Sequence, residues 1–516
     1  MKMIPGLAFA VAVLPCVAQQ NPSRMQKIGT VDPRFQSYNI EMVEVIGGRF
    51  WKPYGSKTVA PTPTTSGSPS GIDPGLFEQL TPVDLSNPRL RKLAAALGPA
   101  YVRVSGTWAN TAYFQDSDAA APAMPPPGFG GVLTRAQWKG VVDFSKAVDA
   151  QIVTSFSTSA GTRDKADVWT PVEGKKFLEY TQSIGGTIAA AEFMNEPTFA
   201  TAAGVPAGYD AAAYGRDFAV FQPFFRKAAP KAILLGPGSI GEGIDLIPGG
   251  TGMKLIPSKE MLAAMGPNAV DGFSYHFYGS VSERCGAAMK IGTTPDAALT
   301  EDWLGRTGTV EAFYAGLRDT YAPGKAMWLT ETGQTACGGD RWAATYIDSF
   351  RYLDQLGRLA KLGVQVVMHN TLDASDYGLI DAGTLVPRPN YWAAVLWHNT
   401  MGTTVLDAGA DPSKTVRVYA QCMKGHKGGV TLLALNLSRT EAQTIPLPLE
   451  AKRYSLTANE LMGKSVLLNG SELTLAANGN VPALAGVATK KGDLSLPAAS
   501  ITFLTFERAN NPACRR

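Results

Sequence analysis

The stretch Ala190-Ala191-Glu192-Phe193-Met194-Asn195-Glu196-Pro197 decides how the rest of the chain is interpreted. It reads as a buried β-strand whose last residues become polar. Because proline has no backbone N–H and cannot continue a central strand, the strand must stop where Asn195 and Glu196 stand. The pattern therefore predicts that the Glu196 side chain projects from the end of a strand.

A second strand has the same form. The apolar run Ala326-Met327-Trp328-Leu329-Thr330 ends in the carboxylate of Glu331, and the turn-prone Thr332-Gly333 follows it. One glutamate at a strand end is often solvated or paired with a nearby Lys or Arg. Two of them, each ending a buried strand, could face each other across a parallel barrel. Glycoside hydrolysis needs such a facing pair of carboxylates.

The whole chain alternates strand-like and helical segments up to about residue 403. Eight βα units of this kind predict a (β/α)8 TIM barrel, an α/β fold whose active site lies at the carboxyl ends of the strands. From residue 404 to 516 the pattern changes to short alternating runs separated by Gly, Asn and Pro, which predicts an all-β sandwich. The eight predicted strands are Gln36–Val45, Tyr101–Ser105, Gln151–Phe156, Ala190–Asn195, Ala232–Gly236, Gly272–His276, Ala326–Glu331 and Val364–His369.

Length, hydrophobic content and net charge limit the kinds of molecule that the protein is expected to bind. The chain has 516 residues, which favours a large barrel plus a smaller domain, and 45% of them are hydrophobic. The 47 basic and 43 acidic residues give a net charge of only +4. Because no basic run stands out, the sequence argues against a nucleic-acid surface and favours a small or polysaccharide substrate. It does not predict an oligomeric state.

The first 18 residues have the form of a secretory signal peptide. Lys2 precedes an apolar core from Ile4 to Val13, and the small residues of Cys16-Val17-Ala18 follow. This core is too short to span a membrane, and no later stretch is apolar enough to insert into one. We therefore expect a secreted or periplasmic protein.

Four cysteines remain after this segment, and in an oxidising compartment an even number favours disulfides. They are Cys285, Cys337, Cys422 and Cys514. No two Cys or His residues stand at a spacing typical of metal ligands, so we expect no metal, and nothing in the sequence implies a cofactor.

The two strand-end glutamates suit a retaining glycosidase, which needs a protonated carboxyl beside the leaving oxygen and an ionised one that attacks the anomeric carbon. Glu196 would be the acid/base and Glu331 the nucleophile. Asn195 would bond a sugar hydroxyl, and Tyr278 would hold the Glu331 carboxylate. His276 is a candidate substrate ligand, with a purely structural role as the equal alternative.

The ordered set of segments that surround these residues resembles glycoside hydrolase family 79, the heparanase and β-glucuronidase family. The resemblance covers most of residues 30 to 405. The matching segments are Asp32–Phe35, Ser37–Glu41, Ala100–Arg103, Gly106–Thr107, Glu192–Pro197, Tyr275–Tyr278, Trp328–Thr332, Gly338–Gly339, Tyr377, Leu379–Asp381, Pro389–Trp392 and Gly402–Thr403.

The resemblance implies roles for further residues. Glu41, Thr107 and Asn195 would contact sugar hydroxyls, while Gly338, Gly339 and Tyr377 would hold the carboxylate of a uronic acid. Backbone N–H donors suit that task because they place no competing cation beside the nucleophile. The chain departs from the usual pattern in having Ala336-Cys337 before the glycines and a glutamate at position 41 where aspartate is common.

The resemblance also bears on the termini and the disulfides. It implies that residues 19–34 add to the sandwich, with the barrel at 35–403 and the sandwich at 404–516. A disulfide between Cys422 and Cys514 would tie down the C-terminal tail, and Cys285 and Cys337, in adjacent loops after strands six and seven, are a second candidate pair. For Glu196 we predict a raised pKa caused by repulsion from Glu331 together with partial burial.

These observations lead to one main functional hypothesis and two alternatives. The main hypothesis is a secreted retaining β-glucuronidase that removes terminal β-linked glucuronic acid from glycans or glycoconjugates. The first alternative is an endo-acting, heparanase-type hydrolase, although strong Lys/Arg clusters for sulfated chains are absent from the sequence. The second alternative is a carbohydrate-binding relative without catalysis, which would not require both Glu196 and Glu331.

Overall fold

A closed barrel of eight parallel strands organises the chain. In the computed structural model the described residues are 21–55, 73–200, 204–244, 255–289 and 292–515. Each barrel strand pairs with the next along the chain, and the eighth closes the barrel by pairing with the first, Val367 opposite Gln36. The barrel strands are Gln36–Glu41, Ala100–Ser105, Ala150–Thr154, Ile188–Glu192, Ile233–Ser239, Gly272–Tyr278, Ala326–Gly333 and Val366–His369.

Helices follow the strands and cover the outside of the barrel. Local sequence sets their ends: Thr134, for example, accepts a hydrogen bond from the Gln137 N–H, and the Gln137 side chain accepts one from the Thr134 N–H. The described α-helices are Met42–Ile46, Pro88–Ala95, Arg135–Ala147, Val172–Ser183, Ala211–Ala228, Ser258–Met265, Glu283–Met289, Glu301–Leu304, Arg306–Tyr321, Asp348–Leu362 and Pro389–Thr400. Two small sheets flank the barrel, Gly48–Trp51 with Phe77–Leu80 and Ala112–Gln115 with Gly131–Thr134.

The barrel interior is layered, because side chains two residues apart on a strand point to the same side. The lower layer is an apolar cluster. One step further along the strands the inward side chains become charged or polar, among them Arg103, Glu192 and Thr330. The polar site therefore lies directly above this apolar cluster. The cluster beneath it comprises Tyr101, Val153, Ala190, Leu235, Trp328, Val366 and Met368.

Two of the predicted strand ends that differ from the structure bear on the site. The first strand stops at Glu41, and Met42–Ile46 forms a short buried helix instead of continuing the strand to Val45. A short run that is apolar on every side does not distinguish helix from strand. The fourth strand ends at Glu192, before the residues that carry Asn195 and Glu196.

The C-terminal region forms a nine-stranded sheet and a separate two-stranded sheet. Strand Lys27–Thr30, which precedes the barrel, pairs antiparallel with Met401–Leu406 and so extends the large sheet. The two-stranded sheet contributes Ile445, Leu447, Leu494 and Leu496 to the core that it shares with one face of the large sheet. The remaining strands of the region are Val416–Met423, Val430–Asn436, Gln443–Leu447, Ala451–Thr457, Leu467–Leu468, Ser471–Glu472, Val487–Thr489, Gly492–Leu496 and Ser500–Phe506.

Both expected disulfides are confirmed. Cys422 and Cys514 are bonded with an S–S distance of 2.01 Å, and Cys285 and Cys337 with one of 2.05 Å. The first joins the large sheet to the C-terminal tail, and the second joins helix Glu283–Met289, which follows strand six, to the loop after strand seven. The predicted signal peptide, residues 1–18, lies outside the described residues, and among those that are described no helix has the length and apolarity to cross a bilayer.

Candidate active site

Glu196 follows the fourth barrel strand in a left-handed backbone conformation, with φ 47° and ψ 59°. A non-glycine residue rarely adopts this conformation, which costs on the order of 1 kcal/mol and is found most often at functional sites. Pro197 then begins the 3₁₀ helix Pro197–Phe199. The side chain of Glu196 is 17% exposed, so its carboxyl borders the barrel mouth.

Glu331 reaches the same space because the seventh strand has an irregular register. Tyr275 lies opposite Leu329, but the next pair joins His276 to Glu331, so the seventh strand has one residue more than the sixth between these pairs. Regular alternation would turn either Thr330 or Glu331 inward. Here both point inward: the Thr330 hydroxyl donates to Glu192, while Glu331 accepts from Arg103.

The two glutamates lie close together with a histidine between them. One carboxylate oxygen of Glu196 and one of Glu331 are within 4.8 Å of each other. His276 Nδ1 is 3.0 Å from Glu196 Oε1 and 3.7 Å from Glu331 Oε2. Retaining glycosidases separate their carboxyl groups by about 5 to 5.5 Å, and inverting enzymes by about 6.5 to 9.5 Å. An approach within 4.8 Å between one oxygen of each carboxylate is compatible with the shorter of these separations.

Arg103, only 1% exposed, is the cation at the base of the site. Its Nη1 donates to Glu331 Oε2 at 2.9 Å, and its Nη2 donates to Glu192 Oε2 at 2.9 Å and to Asn195 Oδ1 at 2.7 Å. Nη2 also lies 3.2 Å from His276 Nε2. Buried charges need such pairing because leaving water is costly. One guanidinium on the second strand thus joins groups at the ends of the fourth, sixth and seventh strands.

The neighbours of His276 define its protonation. A guanidinium can only donate, so His276 Nε2 accepts from Arg103, which leaves the ring proton on Nδ1 facing Glu196 Oε1. Burial lowers the pKa of His276 to about 4, and the charge of Arg103 adds to this effect against the opposite influence of Glu331. The imidazole is therefore neutral near pH 7 and serves as a hydrogen-bond donor to Glu196.

The predicted rise in the pKa of Glu196 is present, and of its two predicted causes burial is confirmed and repulsion from Glu331 was wrong. Burial raises this pKa to about 7, the negative charge of Glu192 contributes to the increase, and the Arg103 cation opposes it. Glu331 is not among the causes. The neighbour that matters is Glu192, four residues earlier in the chain and fully buried, whose charge cannot be screened by water.

Asn370, the residue after the eighth strand, connects the other side of the site. Its amide lies 3.0 Å from Glu41 Oε1, 3.0 Å from the Tyr278 hydroxyl and 3.2 Å from the Tyr377 hydroxyl. Tyr278 in turn donates to Glu331 Oε1 at 2.8 Å. Both oxygens of Glu331 therefore accept hydrogen bonds from buried donors, which holds the carboxylate in one orientation.

Glu41 lies at the end of the first strand and is 4% exposed. Burial raises its pKa well above the usual value, and repulsion from Glu331 adds to the increase. Its second oxygen, Oε2, has no hydrogen-bond partner among the described residues. A Cβ on Gly106 would stand 1.4 Å from that oxygen, so only glycine fits there. Thr107 follows directly and begins the 3₁₀ helix Thr107–Thr111 at the rim of the barrel.

The loop after the seventh strand carries Gly338 and Gly339, both with positive φ. It packs against the segment that ends in Tyr377, because a Cβ on Gly339 would lie 3.1 Å from Tyr377 Cβ. The Gly339 N–H already donates to Thr335 O at 3.2 Å. Arg284 holds the outer side of the loop by donating to the carbonyl oxygens of Cys337 and Gly339. The Gly338 N–H has no such backbone acceptor among the described residues.

The structure brings all ten predicted residues to the carboxyl end of the barrel, and it adds others. Arg103, Glu192 and Asn370 were not predicted as site residues. The sequence did contain a signal for the first two: Arg103 and Glu192 are charged residues inside apolar strands, and a charge inside a barrel needs an opposite charge beside it. Which charges meet across the barrel depends on strand register, which local pattern does not give.

Glu196, His276 and Glu331 could also be considered as metal ligands because they converge within 4.8 Å. Their chemistry here argues for hydrogen bonding instead. The Arg103 cation is 2.9 Å from Glu331 Oε2 and 3.2 Å from His276 Nε2, and a second cation beside it would be repelled.

Two close carboxylates at the carboxyl ends of the strands of a closed (β/α)8 barrel define a glycoside hydrolase. The model of the glycosyl hydrolase family 79 N-terminal domain matches residues 77–357, more than half of the chain. The chain belongs to this family.

Comparisons with individual proteins agree with this assignment. Heparanase-like protein 1 from Arabidopsis thaliana is 28% identical over 496 residues, which cover 85% of this chain and 87% of the relative. Baicalin-β-D-glucuronidase from Scutellaria baicalensis is 36% identical over 228 residues, or 42% of this chain and 43% of the relative. The solved structure of a 4-O-α-L-rhamnosyl-β-D-glucuronidase from Fusarium oxysporum 12S has the same fold, with a TM-score of 0.60, 14% identity, and coverage of 94% of this chain and 98% of that one.

Proposed function

We propose that this glycoside hydrolase is a retaining β-glucuronidase that removes terminal β-linked glucuronic acid. The observation that carries the proposal is the pair Glu196 and Glu331, with carboxylate oxygens within 4.8 Å and unlike hydrogen-bond surroundings. Glu196 is held by a neutral histidine and has a pKa of about 7, which suits a proton donor. Glu331 accepts from Arg103 and Tyr278, which suits a carboxylate that attacks.

The reaction proceeds in two steps with this assignment. In the first, Glu196 gives its proton to the glycosidic oxygen while Glu331 attacks the anomeric carbon, which releases the aglycone and leaves the sugar bonded to Glu331. In the second, the Glu196 carboxylate takes a proton from water, and the resulting attack on the same carbon frees Glu331. Two inversions give net retention.

Contacts to the sugar follow from the groups around the pair. Asn195 uses its Oδ1 to accept from Arg103, so its amide N–H groups are left to donate to a sugar hydroxyl. Glu41, with a raised pKa and an unpartnered Oε2, suits a second hydroxyl contact. The Gly338 N–H and the Tyr377 hydroxyl would hold the uronate carboxylate without adding a second cation beside Arg103 and Glu331.

Of the two possible modes of hydrolysis, at the end of a glycan chain or within it, the first is favoured here. A named glucuronidase among the relatives supports it, whereas the heparanase-like relatives support internal cleavage of a glucuronic acid-containing polysaccharide as the second candidate. The sizes of products decide between them. End-acting hydrolysis releases monosaccharide from the first minutes, and internal cleavage first produces long fragments. We also propose export from the cytoplasm, which the two disulfides support.

The mechanism is tested with 4-nitrophenyl β-D-glucuronide and two variants. Glu331→Gln removes the attacking oxygen and should abolish turnover without unfolding the protein. Glu196→Ala should spare the first step on this substrate, whose leaving group needs little protonation, but should slow hydrolysis of an alkyl glucuronide by about 10²- to 10⁴-fold. Glu260→Gln, on the exposed face of helix Ser258–Met265, is the matched control.

The stereochemistry gives an independent readout. Proton NMR of the wild-type reaction should show the β-anomer of glucuronic acid before mutarotation produces the α-anomer. If the α-anomer formed first, or if Glu331→Gln hydrolysed the glucuronide at a near-normal rate, the retaining assignment would be wrong.

A further inference from the structure

A second cavity lies at the opposite end of the barrel from the catalytic pair. It has a volume of about 490 Å³ and is bounded by the start of the first barrel strand, the end of the last barrel helix and the large C-terminal sheet. Phe35 and Trp397, both almost fully buried, contribute apolar surface. This volume is within the range of pockets that hold small organic ligands and suits a sugar better than a lone ion.

The lining of this cavity is basic. Four of its side chains can carry positive charge: Lys424, Lys427, His398 and His426. Asp32 is the one carboxylate among the described residues that line it, and its Oδ1 accepts from the Arg34 N–H. No ion pair joins any of these four residues to a carboxylate within the described part of the chain. The excess positive charge points to a negatively charged ligand.

Lys424 and Gln421 provide the most specific evidence for a negatively charged ligand in this cavity. The Lys424 ammonium lies 2.9 Å from His398 Nε2, so its near neighbour is a ring that can itself become a cation. The amide nitrogen of Gln421, a residue 2% exposed that lines the same cavity, has no hydrogen-bond partner among the described residues. Unpaired buried donors are rare because each forfeits its hydrogen bonds to water. Gln421 is buried and lacks a partner, whereas Lys424 is exposed and has only the His398 ring beside it, so an oxyanion would give Gln421 an acceptor and Lys424 an opposite charge.

We propose that this cavity is a second, non-catalytic site for an acidic sugar, whose carboxylate or sulfate group is held by Lys424 and Gln421. The sugar ring would lie against the apolar surface beside Trp397. The proposal does not depend on the mechanism assigned to Glu196 and Glu331, because the cavity shares no residue with the catalytic end of the barrel.

His398 provides a reporter for occupancy. Burial lowers its pKa to about 4, and the charge of Lys424 adds to this. An anion bound beside Lys424 would offset that charge and raise the pKa of His398. The chain has only four histidines, so their ring proton signals can be resolved by NMR after selective labelling, and a His398→Asn variant identifies the signal.

The experiment titrates the full-length protein at about pH 5.5 with three probes: inorganic sulfate, glucosamine 6-sulfate and glucosamine. We expect the His398 signal to move toward the protonated form with sulfate and with the sulfated sugar, and not with glucosamine. Lys424→Met and Gln421→Leu should each weaken binding by about 10-fold or more, the scale of a lost charge-assisted or buried hydrogen bond. Hydrolysis of 4-nitrophenyl β-D-glucuronide by Lys424→Met should be unchanged.

Lys175→Met is the matched control, because it removes one charge from the exposed face of helix Val172–Ser183 and should leave the titration unaffected. Unchanged sulfate binding by Lys424→Met would overturn the site. Equal affinity for inorganic sulfate and glucosamine 6-sulfate would overturn the sugar as ligand and assign the cavity to free anions.

Discussion

Replacing Arg103 by methionine should destabilise the fold as well as impair catalysis. The side chain is 1% exposed and pairs with Glu192 and Glu331, whose side chains are 0% and 7% exposed. Methionine would fill much of the volume but would leave two carboxylates in the barrel without their cation. Breaking a buried ion pair in this way costs about 3 to 5 kcal/mol, because the remaining charge is desolvated and uncompensated. We expect a loss of this size in the free energy of unfolding at pH 7.5.

The loss of stability in Arg103→Met should be greater at neutral pH than at acidic pH. Burial disfavours the ionised form of Glu192, but the charge of Arg103, helped by His276 and Thr330, outweighs it and lowers the pKa of Glu192. A lowered pKa in the folded state contributes stability above the unfolded pKa of about 4.3, and this stability is lost as the pH falls through the folded value. The difference between wild type and Arg103→Met should therefore be largest above about pH 5 and should decrease below about pH 4.

Urea unfolding followed by tryptophan fluorescence and circular dichroism at about pH 7.5 and pH 4 measures both effects. Arg226→Met is the matched control: its partner is Asp271 at 3.0 Å, but the two side chains are 45% and 34% exposed. Such a surface pair contributes only about 0 to 1 kcal/mol. If Arg103→Met unfolded at the same urea concentration as Arg226→Met at pH 7.5, Arg103 would not be the cation that supports the site.

Two further predictions concern the acid and the glycine loop. Because the pKa of Glu196 is about 7, the protonated acid becomes scarce above this pH, and kcat/KM for an alkyl β-glucuronide should fall about tenfold per pH unit well above pH 7. If the Glu196→Gln variant showed the same alkaline decline, Glu196 would not be its source. The double variant Cys285→Ser/Cys337→Ser removes the disulfide beside Gly338, whose loop closure stabilises the folded state by about 4 kcal/mol in the chain-entropy model. We expect a lower thermal midpoint and a raised KM for the glucuronide. An unchanged KM would show that the disulfide does not position the loop.

Much of the architecture could be predicted from local pattern. The eight barrel strands are apolar runs separated by helical segments, and a closed parallel barrel brings the polar residues at their carboxyl ends together whatever their distance in sequence. This is why Glu196 and Glu331 could be assigned from two strand endings. In the C-terminal region the pattern was weaker, and several strands were missed, among them Gln443–Leu447 and Gly492–Leu496. Each exposes alternate residues, and Pro446 interrupts the first.

Register could not be predicted, and register determines which charges meet. The extra residue between Leu329 and Glu331 turns two successive side chains of the seventh strand inward. Alternation alone would have placed one of them outside the barrel. A similar limitation explains why the repulsion was assigned to Glu331 and not to Glu192, since the position of Glu196 relative to Glu192 depends on the bends at Phe193–Asn195.

The carboxyl groups of Glu196 and Glu331 have different surroundings because Arg103 donates to only one of them. Arg103 donates directly to Glu331 and Glu192, whereas Glu196 contacts neutral His276. Burial is the largest cause of the raised pKa of Glu196, and the negative charge of Glu192 adds to it against the opposing charge of Arg103. Glu192, which takes no part in the chemical steps, therefore has two roles: it pairs with Arg103, and together with burial it keeps the pKa of Glu196 raised.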